Sequence, residues 1–320
     1  MPSQSIALTI DWQEIDDRRW NDLLHEIPHS NVIQSAPYAK AYQRLDGMSV
    51  RRAIIMIDGQ KAGIVQVLEK KHLRGIIHAV MIDRAPLWFD GYGGVAHVKE
   101  FFIALNRAFP KRWGRKRRFL PELAHGMTAQ KLIEQSGFSH VLPGFSTAWW
   151  NIDQSIEILH ENLSKSWRSS LDKALKSTLT IEWDDQARQY PWLKKRYSLD
   201  KKQRGYFGIA PEYLDDFAII SPSAPSMLIG VAKENDQPCA AVLFLLHGQS
   251  ATYQIGWSNN IGRKYCAHHL LLWQAVERLK KYGIKQIDLG GISPDEEAKG
   301  INFFKLGTGA VRYENIGLYH

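Results

Sequence analysis

The chain has 320 residues, 44% of them hydrophobic and 23% charged, and its 41 Lys and Arg against 33 Asp and Glu give a net charge of +8. This composition is ordinary for globular proteins and excludes disordered and fibrous classes, while the length predicts about two domains. The longest apolar run, 239–246, is far short of the roughly 18 residues of a membrane span, and two cysteines make neither a metal quartet nor a disulfide framework.

The opening MPSQSIALTIDWQE has no basic n-region and no apolar h-region, so a cytoplasmic location with reduced thiols is expected. A helix is predicted over 20–27. Strand candidates 52–57 and 61–68 flank Asp58-Gly59, a hairpin signal. A helix follows over 95–113, with Pro110 ending its regular part. Lys111, Arg112, Arg115, Lys116, Arg117 and Arg118 then put six positives into KRWGRKRR, which holds most of the charge excess. Two readings of this run stay open, a solvated helix end and a nucleic-acid contact in which Trp113 stacks on a base. A short strand is expected over 118–120, and Trp149-Trp150 closes the first half.

Beyond a joint at 151–158, an amphipathic helix is predicted over 160–177, with Leu159, Leu163, Trp167, Leu171, Ala174 and Leu175 as its apolar stripe. Strand candidates 227–232 and 238–246 flank Glu234-Asn235-Asp236-Gln237. A helix over 265–282 and a strand over 284–289 come next. The two hairpins, and the glycines Gly114 and Gly283 that follow the long helices, repeat at an offset of about 170 residues. Two copies of an α/β module are the expectation, with domains 1–150 and 151–320.

Two motifs mislead. His25-Glu26-Ile27-Pro28-His29 spells H-E-x-x-H, but Pro28 ends the helix inside it, so no metal is expected there. Gly91-Tyr92-Gly93-Gly94-Val95-Ala96 fits G-x-G-x-x-A, yet the acidic residue a dinucleotide ribose needs about 20 residues on is replaced by the basic run. A tight turn is the better reading. There is no G-x-S-x-G elbow, no Walker loop and no Cys-His signature, which removes the main support for hydrolase and NTPase readings.

The remaining constellation is GRKYCAHHLLLWQAVERLKKYGIKQIDLGGISPDEEAKGINFFKLGTGAVRYENIGLYH. It reads as helix, Gly283, a strand ending Asp288-Leu289-Gly290-Gly291, a polar loop, a short helix carrying Phe303-Phe304-Lys305, Gly307-x-Gly309 and a closing strand. This order resembles the Fem-type (FemABX) aminoacyltransferases, built from two tandem GNAT-like acyltransferase domains with mixed sheets flanked by helices. NLSKSWRSSLDKALKS is similar to that family's helix with a central aromatic-Arg pair, here Trp167-Arg168. KKQRGYFGIAPEYLDDF is similar to its arginine-containing loop, and NVIQSAPYAKAY and MIDRAPLWF to its early Gln-Ser segment and its D-R-G-P-L strand, with Ala85 in place of the glycine.

The resemblance implies an α/β fold and an N-acyltransferase. It places Phe304 and Lys305 at acyl transfer, Arg204 on an acceptor phosphate, and Tyr206, Tyr253, Trp167, Arg168, Gln34 and Arg84 at the substrates. Asp288 reads instead as a cap for the N–H groups of Gly290 or Gly291. Such enzymes take the aminoacyl group from a charged tRNA and add it to an amine of a peptidoglycan precursor, with no cofactor. Both substrates are polyphosphates, which suits a cationic surface, and a lipid-linked acceptor allows a peripheral membrane contact. The alternative donor, an acyl-CoA, calls for a glycine-rich pyrophosphate loop that WSNNIGRKYCAHHL lacks. A third reading is a silent GNAT-like module that binds RNA through KRWGRKRR.

Overall fold

In a computed structural model, residues 6–205, 208–219 and 225–320 are described, apart from the Arg204 side chain. The chain divides into two units, residues up to Ser146 together with Tyr313–His320, and Thr147–Arg312. The last eight residues therefore belong to the first unit, not to the second as the 150/151 boundary would have it.

The first unit contains β1 (Leu8–Gln13), α1 (Asp17–His25), α2 (Ala36–Asp46), β2 (Ser49–Ile57), β3 (Gln60–His72), β4 (Ile77–Ala85), β5 (Leu87–Trp88), α3 (Val95–Ala108), β6 (Arg115–Pro121), α4 (Met127–Gln135) and β7 (His140–Leu142). The second holds β8 (Ser146–Asn151), α5 (Ile156–Glu161), α6 (Lys165–Leu175), β9 (Thr180–Asp184), α7 (Tyr190–Arg204), β10 (Met227–Glu234), β11 (Gln237–His247), β12 (Ser250–Ser258), α8 (Asn260–Lys264), α9 (Ala267–Lys281), β13 (Gln286–Ile292), α10 (Lys299–Leu306) and β14 (Val311–Glu314). A final β15 (Leu318–Tyr319) completes the first sheet, whose order is β1-β2-β3-β4-β6-β15-β7 with β5 on β3. The second sheet runs β14-β8-β13-β12-β11-β10-β9.

The repeat shows in the topology. In each sheet an antiparallel hairpin, β2-β3 or β10-β11, turns through two residues with positive φ, Asp58-Gly59 or Asn235-Asp236, the geometry that continues strand twist. In each, a helix then carries the chain over to a parallel pair, β4 with β6 through α3 and β12 with β13 through α9. Both sheets are thus mixed and flanked by helices, as expected. The α9 stripe Leu271, Leu272, Ala275, Val276 and Leu279 is wholly buried, in one core with Leu228, Val242 and Phe244 of the sheet.

Several helix limits differ from the expected ones for local reasons. The helix foreseen over 160–177 is two, because the Ser164 side chain accepts the Trp167 N–H and starts α6 afresh. The helix over 95–113 stops at Ala108, and β6 begins at Arg115 rather than 118. In the H-E-x-x-H run α1 ends at His25, so the two histidines share no helical face. At the glycine-rich run, a side chain on Gly93 would strike the Trp88 ring at 2.7 Å, which accounts for a tight turn. Among the described residues no cluster could hold a metal, and no helix is long and apolar enough to cross a membrane.

Candidate active site

The parallel pair of the second unit is registered only from Ser250↔Gln286 to Thr252↔Asp288. Beyond that point β12 continues to Ser258 and β13 to Ile292 without registered pairing to each other, so the two strands part where Asp288-Leu289-Gly290-Gly291 stands. Gly290, at φ 80°, takes a conformation that glycine adopts far more readily than other residues. The Asp288 carboxylate is buried, accepts the Gly290 N–H at 2.8 Å, and accepts the Thr147 hydroxyl. It is the cap the sequence indicated. Thr147 had no signal in the sequence, since a lone threonine on a strand carries no pattern.

Lys305 enters this opening from α10. Its Nζ donates to the Gly291 carbonyl at 2.7 Å and lies 3.5 Å from the position a Gly290 side chain would start. Gly291 O is its one hydrogen-bond acceptor among the described residues, which leaves two ammonium donors for a substrate oxygen. The side chain is 9% exposed. Burial pulls its pKa down to about 8, against the opposing pull of Asp288, so near neutral pH it is still a cation in a dry setting.

The helix is held by its aromatic neighbours. The Trp167 indole N–H donates to the Phe304 carbonyl at 3.0 Å, and the two rings stack at 6.1 Å. Phe304 also meets His269 edge-on at 5.0 Å and His268 at 6.2 Å. Burial lowers both histidines, His269 to about 4, and keeps them neutral. A side chain on Gly307 would hit the Phe303 carbonyl at 2.7 Å and the Trp167 ring at 2.9 Å, so the Gly307-x-Gly309 pattern is close packing. Trp167 and Phe304 position Lys305 and are themselves largely covered. Arg168 donates to the Glu161 carbonyl at 3.1 Å, an exposed bracket between α5 and α6.

Tyr253, just past the last registered pair, packs its ring against Phe244 at 5.6 Å, and its hydroxyl fills the space beside Gly256; burial pushes its pKa up. The Arg204 side chain and Tyr206 lie outside the described residues.

Several of the first-unit candidates are engaged within that unit. Gln34 is buried, donates to the carbonyls of Gln66 at 3.2 Å and Asp83 at 2.8 Å, and accepts the Gln66 N–H at 2.9 Å. Arg84 is buried against Glu122, with Nη2 3.0 Å from Oε1 and a second contact through Nε. In the basic run, Arg117 is turned inward, bonding Asn106 Oδ1 at 2.7 Å and the Phe109 carbonyl at 3.1 Å. Arg118 pairs with Asp83 at 3.1 Å, and Arg112 bonds the carbonyls of Gly75 and Ile76. Strand alternation divides the run; the inward Arg117 is not available to a nucleic acid, whereas Lys111 and Lys116 are exposed.

Residues 228–320 match the model of the FemAB family, a stretch that includes Tyr253, Asp288, Phe304 and Lys305. Among solved structures the chain is similar to FemX, at 15% identity and a TM-score of 0.77, covering 97% of this chain and 96% of that one. It is similar to a conserved protein of unknown function from Bacteroides thetaiotaomicron VPI-5482, at 11% identity and a TM-score of 0.61 over 97% and 98% of the two chains. It also resembles L-PGS from Bacillus licheniformis, at 12% identity and a TM-score of 0.53 over 95% and 91%. No curated protein matches at the sequence level. The Fem-type resemblance holds: residues 228–320 carry the FemAB pattern, and the chain as a whole carries the fold of FemX.

Proposed function

We propose that this protein transfers an aminoacyl group from aminoacyl-tRNA to an amine of a peptidoglycan precursor or a similar phosphate-bearing acceptor. The observation that carries the reading is the buried Lys305 ammonium at the parted ends of β12 and β13, with hydrogen-bonding capacity to spare. The neutral acceptor amine attacks the ester carbonyl carbon, forming the C–N bond and placing negative charge on the carbonyl oxygen. Lys305 stabilises that oxyanion, and in a dry site such stabilisation is worth much more than in water. Collapse of the intermediate breaks the bond to the tRNA ribose oxygen, which takes up the proton lost by the amine. Asp288, fixed by Thr147 and Gly290, supplies a compensating charge near the ammonium. Arg204 keeps the phosphate-gripping role that the resemblance implies, suited to a planar fork of donors.

The test is transfer from labelled aminoacyl-tRNA to an amine-bearing precursor. The expected result is label in a new amide, reduced about 100-fold or more by Lys305→Met. Label that stays on the tRNA while an acyl-CoA is consumed would replace this donor with a thioester.

A further inference from the structure

Far along the first sheet from its hairpin turn, the β3–β4 connection and the loop before β6 form a single surface. The Arg112 guanidinium donates to the Gly75 carbonyl at 2.8 Å and to the Ile76 carbonyl at 3.0 Å, and the His78 N–H bonds the Gly114 carbonyl at 2.8 Å. Gly114 permits the approach, since a side chain there would lie 2.4 Å from the Ile76 carbonyl. Leu73, Arg74 and Gly75 all have positive φ, a conformation that leucine and arginine rarely adopt.

This fastened pair of loops presents its apolar groups to solvent. Trp113 is 84% exposed, Leu73 67%, Ile76 51% and Ile77 45%. Around them stand the exposed cations Lys71, Arg74, Lys111, Arg112 and Lys116, and no acidic residue occurs in 70–78 or 110–118. The Glu69 carboxylate, at the adjoining end of β3, is buried and engaged by Lys71 at 3.0 Å and His78 at 3.1 Å. The transfer chemistry uses none of these groups.

We propose that this tip docks the protein onto an anionic lipid bilayer, with Trp113, Leu73 and Ile76 entering the headgroup–acyl boundary and the surrounding lysines and arginines meeting lipid phosphates. An apolar centre ringed by cations is the pattern of interfacial anchoring, with the indole suited to the boundary itself. RNA is the poorer occupant. Trp113 could stack on a base, but Leu73, Ile76 and Ile77 have no π-face and gain only where an apolar phase receives them. The inference is independent of the donor or acceptor in the transfer reaction.

The experiment is co-sedimentation of the full-length protein with phosphatidylcholine vesicles, with or without about one third phosphatidylglycerol. Binding to the anionic vesicles alone is expected. Leu73→Ser with Trp113→Ser should lower the partition coefficient about tenfold or more, from lost apolar burial. Lys111→Glu with Lys116→Glu should lower it by a similar factor. Trp113→Phe should still bind while losing part of the fluorescence quenching by brominated lipid. All these side chains are exposed, and an unchanged thermal midpoint confirms the fold. The proposal is overturned if anionic vesicles are not bound, if the Leu73/Trp113 variant binds them as well as the parent, or if the same surface retains single-stranded RNA but no vesicles.

Discussion

In the first unit β4 and β6 stay paired from His78↔Arg115 to Ala85↔Pro121, across one register shift at Arg84, whereas in the second β12 and β13 part after Thr252↔Asp288. The first unit stitches the corresponding end shut with amide side chains. Gln34 bonds the backbone of Gln66 and Asp83, Asn31 donates to the Arg84 carbonyl at 2.7 Å, and Asn315 donates to the Pro121 carbonyl at 2.7 Å. Its charges are paired, Arg84 with Glu122 and Arg118 with Asp83. The second unit leaves its strands open and puts a buried cation with unused donors in the gap. One topology therefore yields a sheet end closed by paired amide and charged side chains, and an open one where a lysine retains capacity for a substrate.

This contrast can be broken from either side. The largest effect is expected from Arg84→Met, which leaves the Glu122 carboxylate without its cation, held only by a long bond from Asn31 at 3.3 Å among the bonds described, and should cost about 3–5 kcal/mol of unfolding free energy. The measurement is denaturant unfolding, and the folded fraction should keep its turnover number. Lys305→Met should do the reverse, with turnover down about 100-fold or more and stability undiminished, because it removes a desolvated charge. Gln34→Ala should cost about 1–3 kcal/mol, since it leaves buried backbone groups of Gln66 and Asp83 without partners; a loss of turnover without loss of stability would return Gln34 to the substrate.

The smallest and most diagnostic effect is on pH dependence. With the Lys305 pKa near 8, the ammonium is lost as pH rises through that value, and the turnover number should fall about tenfold per unit beyond it. Lys305→Arg, charged throughout, should remove this alkaline limb. The linkage to stability has the opposite sign. The unfolded lysine, with its ordinary pKa near 10.5, binds more protons between about pH 8 and 10.5, so Lys305 makes the fold gain stability across that window.

Much of the second unit was legible because its signals are local. A hairpin turn, an apolar stripe at helical spacing and Gly290-Gly291 after a strand each act within a few residues, and α9, β13 and α10 follow from them. Asp288 could be recognised as a cap for the same reason. The first unit was legible as elements but not as roles. Gln34 and Arg84 lie in segments that resemble the family's, yet their partners Gln66, Asp83 and Glu122 are 32 to 49 positions away, and no spacing rule links them. KRWGRKRR read as one patch because charge was counted along the chain. A strand sends alternate side chains to opposite faces, so Arg117 became a core residue while Lys116 stayed outside.

Strand β15 gives the chain a particular order of assembly. It lies between β6 and β7, Tyr319 is wholly buried there, and Ser139 and His320 exchange backbone hydrogen bonds at 3.0 Å. A ribosome makes all of Thr147–Arg312 before it makes this strand. The first sheet must therefore wait with two open edges while the second unit emerges, and a fragment cut at Ser146 would keep those edges exposed to other chains. The two repeats look separable as modules, yet the first cannot be completed until the second has been translated.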